Sequence, residues 1–161
     1  MTMTRIAESV EVNAPVEKVF AFASDWRYWE DWWVGVSGFK PTTELTRGNG
    51  TRYAYKAWVA GLTVNVETEI QDFVENVGWR GMVTKGVPHR TQWVFEAKGD
   101  TTRLTYILEY SLPIPGLGAV LDFLLMQPWW RRLLKRSLRN LKLHFEEQGG
   151  SRAAEGNASG A

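Results

Sequence analysis

Cysteine is absent from the 161 residues, which rules out a disulfide framework. With only two histidines beside that absence, a zinc site lacks its usual ligands. No apolar run approaches the roughly 18–20 residues of a membrane span, and the N-terminus has no basic stretch followed by an apolar core. The expectation is a soluble, cytoplasmic protein. A dominant charge is missing as well: 19 Lys and Arg against 18 Asp and Glu leave a net charge of +1, so nucleic acid is not an expected partner. Neither a phosphate-binding glycine loop nor a nucleophile elbow is present, and no metal, nucleotide or other cofactor is expected. No internal repeat divides the chain. Its length suits one domain with a core large enough to need no covalent staples.

What the chain has in excess is aromatic surface: nine tryptophans, and 13% Phe, Trp and Tyr together. Such side chains build large, stiff apolar walls. Between them runs a regular alternation. Leu62, Val64, Val66, Thr68 and Ile70 share one parity while Thr63, Asn65, Glu67, Glu69 and Gln71 share the other, the pattern of a half-buried strand. Similar segments are Arg5 to Val12, Phe39 to Thr46, Thr51 to Ala60, Val77 to Thr84, Arg90 to Lys98 and Thr101 to Leu112, most of them separated by short Gly-, Asn- or Asp-containing connections. Ala14-Pro15 opens a helix whose face carries Val16, Val19, Phe20 and Ala23. Ser24-Asp25 then caps a short second helix containing Trp26, Tyr28, Trp29, Trp32 and Trp33.

The chain closes with a long helix, Leu117 to Glu147, whose sides differ. At 100° per residue, Arg131, Arg132, Lys135, Arg136, Arg139 and Lys142 fill one arc of about 140°, while Trp130, Leu134, Leu138, Leu141 and Phe145 form an apolar stripe. At about 1.5 Å per residue the helix reaches roughly 45 Å, longer than the strands it would cover. Leu117 to Trp129 is apolar in nearly every direction, and Pro128 predicts a kink or break. Residues 149–161 are small, polar and aperiodic, a tail predicted to be disordered after a ligand-binding domain spanning 1–148.

Taking the apolar parity as inward, the sheet face carries Tyr53, Tyr55, Ala57, Val64, Val66, Thr68, Ile70, Trp79, Thr91, Trp93, Phe95, Leu104, Tyr106, Leu108 and Tyr110. Buried hydroxyls need partners, which a partly hydrated pocket supplies. The order of a strand, two short helices, six meander strands and a long helix resembles the helix-grip fold of the START-like superfamily. So do the opening Val10-Glu11-Val12-Asn13-Ala14-Pro15-Val16-Glu17-Lys18-Val19-Phe20 with Asp25, Tyr28 and Trp29, the strand Thr102 to Tyr106, and Trp130 to Glu146. The resemblance covers Ile6 to about Glu147 and is to the polyketide cyclase/dehydrase and lipid-transport group. It implies an α+β fold in which a seven-stranded curved antiparallel sheet wraps around the C-terminal helix, with a hydrophobic ligand held between them.

Three functions from different classes follow. The first is a carrier or sensor for a lipid, polyketide or aromatic metabolite, with Tyr53, Tyr55, Val66, Thr68, Trp79, Thr91, Trp93, Tyr106, Tyr110, Leu124 and Leu134 as the wall. The second is a cyclase- or dehydratase-like enzyme in which pocket tyrosines work with His89 or Arg80, Asp72 being a third candidate. For each of these three the plainer reading is a loop histidine, a solvated strand arginine and a carboxylate emerging at a strand end. Asp25 is explained as a helix cap, and His144 as a surface residue. The third function is an interaction module that dimerises through Leu117 to Trp130. The basic arc beside Trp129 and Trp130 is read first as a solvated face, with transient contact to an anionic membrane as its alternative. Trp26, Trp29, Trp32 and Trp33 are candidates for a lid, at least half of them for packing.

Overall fold

The computed structural model describes residues 3–59, 61–111 and 120–158. Seven strands, β1 (Thr4–Val12), β2 (Val36–Pro41), β3 (Arg52–Val59), β4 (Leu62–Val74), β5 (Gly78–Lys85), β6 (His89–Lys98) and β7 (Thr101–Tyr110), form one antiparallel sheet. Its order is β1-β7-β6-β5-β4-β3-β2, so β1 alone departs from the meander and pairs with β7 at one edge. Between β1 and β2 lie helix α1 (Val16–Ala23), a 3₁₀ turn (Trp26–Tyr28) and helix α2 (Trp29–Trp32). Helix α3 (Gln127–Ala158) closes the chain. This is the helix-grip arrangement.

The inward parity holds on every strand that carries it. Tyr53, Tyr55, Val66, Thr68, Ile70, Trp79, Thr91, Trp93, Phe95, Leu104, Tyr106, Leu108 and Tyr110 are all buried, and Ala57 and Val64 are half-buried. Leu134, Leu138, Leu141 and Phe145 of α3 are buried as the helical period requires. At about 1.5–3 kcal/mol for each large side chain removed from water, this contact is what fastens the helix to the sheet. The α1 face of Val16, Val19, Phe20 and Ala23 is likewise buried. Asp25 caps the 3₁₀ turn by accepting from the Arg27 amide at 3.1 Å, and its carboxylate also meets the Arg27 guanidinium.

Some boundaries differ from the sequence reading. Strand β2 runs over Val36–Pro41 rather than Phe39 to Thr46. Beyond Pro41 the chain turns, with the Thr43 hydroxyl donating to the Leu45 carbonyl and accepting from the Arg52 amide. Pro128 neither breaks nor ends the last helix. A π-helical turn over Asp122–Met126 precedes it, in which the Gln127 N–H donates to the Asp122 carbonyl five residues back. A proline lacks an N–H and crowds the carbonyl four residues earlier, and a widened turn accommodates both defects. The last helix is described as far as Ala158. The predicted start at Leu117 lies outside the described residues, the helix being described from Val120. No described helix is long and apolar enough to cross a membrane.

Candidate ligand-binding cavity

The space between sheet and helices is divided. Toward α1 and α2 it is solid aromatic packing. The Phe20 ring lies 4.9 Å from Phe95, 5.5 Å from Phe73 and 5.6 Å from Trp79, edge-on in each case. Trp32 stands at 89° to Trp93, and Trp29 at 4.8 Å from Tyr53. Edge-to-face rings at these separations are mutually favourable, and they leave only a void of about 10 Å³ beside Trp29, Tyr53 and Phe73.

Toward the start of α3 a cavity of about 100 Å³ remains. Tyr55, Ala57, Val64 and Val66 line it from β3 and β4, and His89, Tyr106, Leu108 and Tyr110 from β6 and β7. Met126, Trp130, Leu133 and Leu134 form the helical wall, and Trp33 to Val36 the third side. Trp58 and Val87, both exposed, lie at its rim. Trp33 separates the halves: it stacks on Trp32 and Phe39 and stands 6.0 Å from Tyr106. The chain around it is pinned to α3. The Val34 amide donates to the Ser137 hydroxyl at 2.9 Å, Ser137 donates to the Leu133 carbonyl, and Asn140 reaches the Trp32 carbonyl.

The volume is close to three waters' share of liquid, at about 30 Å³ each, and below the roughly 300–1,000 Å³ of many ligand sites. A single ring is the scale of what fits as the walls stand. Tyr55, His89, Tyr106, Tyr110 and Ser111 are its polar side chains besides the indoles, and Ser111 already has a partner. Burial pushes the Tyr55 hydroxyl well up from its ordinary pKa, partly offset by the neighbouring Thr68 hydroxyl. Burial also raises Tyr106, with Tyr55 nearby adding to the effect. Both are therefore neutral hydrogen-bond donors. The hydroxyl of Tyr106 makes no hydrogen bond among the described residues. His89 is lowered by burial, against a bond from Nδ1 to the Val87 carbonyl at 2.8 Å. A carbonyl only accepts, so Nδ1 carries the proton and Nε2 keeps a lone pair.

Tyr110 is committed elsewhere: it donates to the Asp122 carboxylate, which also accepts from Thr4 Oγ1 at 2.6 Å and Gln127 Nε2 at 3.0 Å. Burial would raise Asp122, but these donors hold it below the ordinary carboxylate value. Asp122 thus ties the π turn to both β1 and β7. Burial and the charge of Asp122 raise Tyr110. Tyr53 donates to the Thr46 carbonyl, and burial pushes it up to about 12.

Of the expected wall, Tyr55, Val66, Tyr106, Tyr110 and Leu134 line the cavity. Tyr53, Trp79 and Trp93 belong to the aromatic half, since parity fixes a face but not a position along it. Thr68 and Thr91 are buried inward but do not line the cavity. Leu124 is 61% exposed, because the widened turn rotates it away from the sheet. Asp72 and Arg80 stand outside, exposed and 3.5 Å apart as an ion pair. A bulge between Gln71 and Val74, with Asp72 at a φ of 50°, takes the Asp72 carboxylate off the inner face. His89 alone of the three catalytic candidates reaches the cavity. Trp29 and Trp32 pack in the core, Trp26 is half-buried, and Trp33 is the one of the four that lines the cavity. The sequence reading missed Trp130 and Gly35 as wall and Asp122 as the latch. A lone carboxylate inside Leu121 to Met126 was the available signal for the last.

The architecture is that of the START-like, helix-grip fold. A family model described as polyketide cyclase / dehydrase and lipid transport matches residues 3–146, and the chain belongs to that family. No curated protein matches it in sequence. Among solved structures it is similar to a START superfamily protein from Mycobacterium smegmatis, at 18% identity and a TM-score of 0.72, covering 89% of this chain and 98% of that one. A protein from Thermus thermophilus is 26% identical with a TM-score of 0.70, covering 86% and 97%. The Zhui aromatase/cyclase of Streptomyces sp. R1128 is 16% identical with a TM-score of 0.69, covering 91% and 96%.

Proposed function

We propose that this protein encloses a hydrophobic small molecule, a lipid, polyketide or aromatic metabolite, between the sheet and α3, as a cytoplasmic carrier or sensor that makes and breaks no bonds. The observation that carries this reading is an apolar cavity whose wall includes a donor, the Tyr106 hydroxyl, without a partner among the described residues. Native mass spectrometry of the purified protein, followed by organic extraction, tests it. The expected result is a noncovalently retained apolar compound. Protein that is empty and whose tryptophan emission does not respond to neutral aromatic or aliphatic compounds refutes it, since Trp33 and Trp130 lie in the wall and report occupancy.

The enzyme reading keeps one observation in its favour: His89, Tyr55 and Tyr106 line the same cavity. The Nε2 lone pair would take a proton beside a ketone whose oxygen a tyrosine polarises, the chemistry of a cyclase or dehydratase. Turnover of a polyketone that His89→Gln abolishes while binding persists would establish it. The exposed Leu121, Leu124 and Leu125 favour a contact surface, either a second copy of the chain or a membrane met together with Arg132 and Lys135. A strict monomer by light scattering, with no binding to anionic vesicles, removes that role.

A further inference from the structure

We infer that the cavity selects a neutral ligand carrying a hydrogen-bond acceptor, of the ketone or ester class, and rejects carboxylates. The inference rests on the ligand-binding reading and narrows it to a chemistry.

The wall tyrosines differ in what their hydroxyls do. Tyr110 donates to Asp122, and Tyr53, outside the cavity, donates to Thr46. Among the described residues Tyr106 has no such acceptor, and Tyr55 has only the Thr68 hydroxyl beside it. Trp130, in the same wall, has an indole N–H without a partner among the described residues, but that nitrogen is closed off from the cavity space and is no donor to it. A wall with donors left over is complemented by an acceptor on the ligand, and a hydrocarbon entering it would strand them. The same wall has no cation: among the described residues that line it there is no Lys or Arg, and His89 is held toward its neutral form by burial. The nearest fixed charge met in tracing the wall is negative, the Asp122 carboxylate bonded to Tyr110, and its donors already satisfy it. A carboxylate placed here would be desolvated without a counter-ion, which is far costlier than burying a carbonyl that accepts one bond.

Three single-ring probes of nearly equal size separate these terms: acetophenone, ethylbenzene and benzoate, titrated at pH 7 by calorimetry. Acetophenone is expected to bind at least about fivefold tighter than ethylbenzene, the effect of one ordinary hydrogen bond, and benzoate to show no binding over the same range. In Tyr106→Phe the affinity for acetophenone is expected to fall to that for ethylbenzene, which itself stays unchanged and so reports an intact cavity. Should that variant fail to fold, Tyr55→Phe provides the same comparison. Equal binding of acetophenone and ethylbenzene to the unaltered protein overturns the acceptor selection while leaving the ligand-binding reading standing. Tighter binding of benzoate overturns the neutrality. A preference for acetophenone that survives both substitutions overturns the assigned donors. If none of the probes binds, the ligand-binding reading falls and this inference with it.

Discussion

The two halves of the grip are built from the same strands and do opposite things. Strand β6 gives Trp93 and Phe95 to the filled half and His89 to the cavity, while β7 gives Leu104 to one and Tyr106, Leu108 and Tyr110 to the other. Period-two alternation supplies an inward face in both places. What differs is the cover. Helices α1 and α2 press Phe20, Trp29 and Trp32 into the filled half. The other end is roofed by the π turn and the beginning of α3, where a buried carboxylate, a widened turn and a proline stand where a continuous apolar stripe would be needed to fill the space. The volume is therefore a property of the covering elements more than of the sheet.

The strongest way to break this contrast is to cut into each half equally. Phe20, fully buried among Phe73, Trp79 and Phe95, should cost about 3–5 kcal/mol when replaced by Ala, because its neighbours cannot collapse into the hole. Val64→Ala, on a wall that already borders empty space, should cost under about 0.5 kcal/mol, a smaller loss for each carbon removed. Urea denaturation measures both. Equal losses per carbon atom removed would mean that the cavity half is packed as tightly as the other.

Asp122 should come next. Replacing it with Ala strands Thr4, Tyr110 and Gln127 together and should destabilise by about 2–3 kcal/mol. Its sign with pH follows from the direction of its shift. The folded-state pKa lies below the ordinary 3.8, so the contribution is fully present above that value and disappears as the pH falls through the folded pKa. In acid titrations of the urea midpoint, Asp122→Asn should therefore flatten the decline below about pH 4 relative to the unaltered protein. An unchanged decline would assign it to Asp25, Glu67 and Glu69, whose pKa values are also lowered.

This division shows which parts of the molecule can be read from sequence. The Val64-Val66-Thr68-Ile70 alternation and the Leu134-Leu138-Leu141 spacing are local patterns, and both faces came out as the periods required. Tyr53 and Tyr106 carry the same local signal, yet one is bonded to Thr46 in the filled half and the other, in the cavity, has no acceptor among the described residues. The difference depends on which helix lies above each, a contact between residues distant in sequence. Asp72 had the right parity and was turned out by a bulge; Leu124 was turned out by one extra residue in a helical turn. Ser137 and Asn140 sit among basic residues, where no periodicity marks them, and they hold the Trp33 segment against α3.

A smaller change sharpens the same contrast. Gly35 has a φ of +84°, and an added Cβ would stand 3.0 Å from Leu133 Cδ1. The left-handed backbone alone should cost Gly35→Ala about 1–2 kcal/mol, read as a lowered melting temperature. Leu133 also lines the cavity, and the end of its side chain can yield by turning inward. Affinity for acetophenone should therefore fall in this variant. The reverse, a loss of stability with full affinity, would place the displaced Leu133 outside the ligand's space.

The smallest effect is expected where sequence reasoning looked for chemistry. Arg80 and Asp72 pair across 3.5 Å with side chains 56% and 69% exposed, a geometry in which water screens the attraction and held side chains lose entropy. Arg80→Ala and Asp72→Asn should each change stability by less than about 0.5 kcal/mol and leave binding in the cavity untouched. The double variant should equal the sum of the two, because a screened pair has little coupling to lose. A large loss of ligand affinity or turnover in either single variant would contradict the division between the two halves. It would mean that the outer face of β4 and β5 takes part in function, since the buried layer of the sheet separates this pair from the cavity.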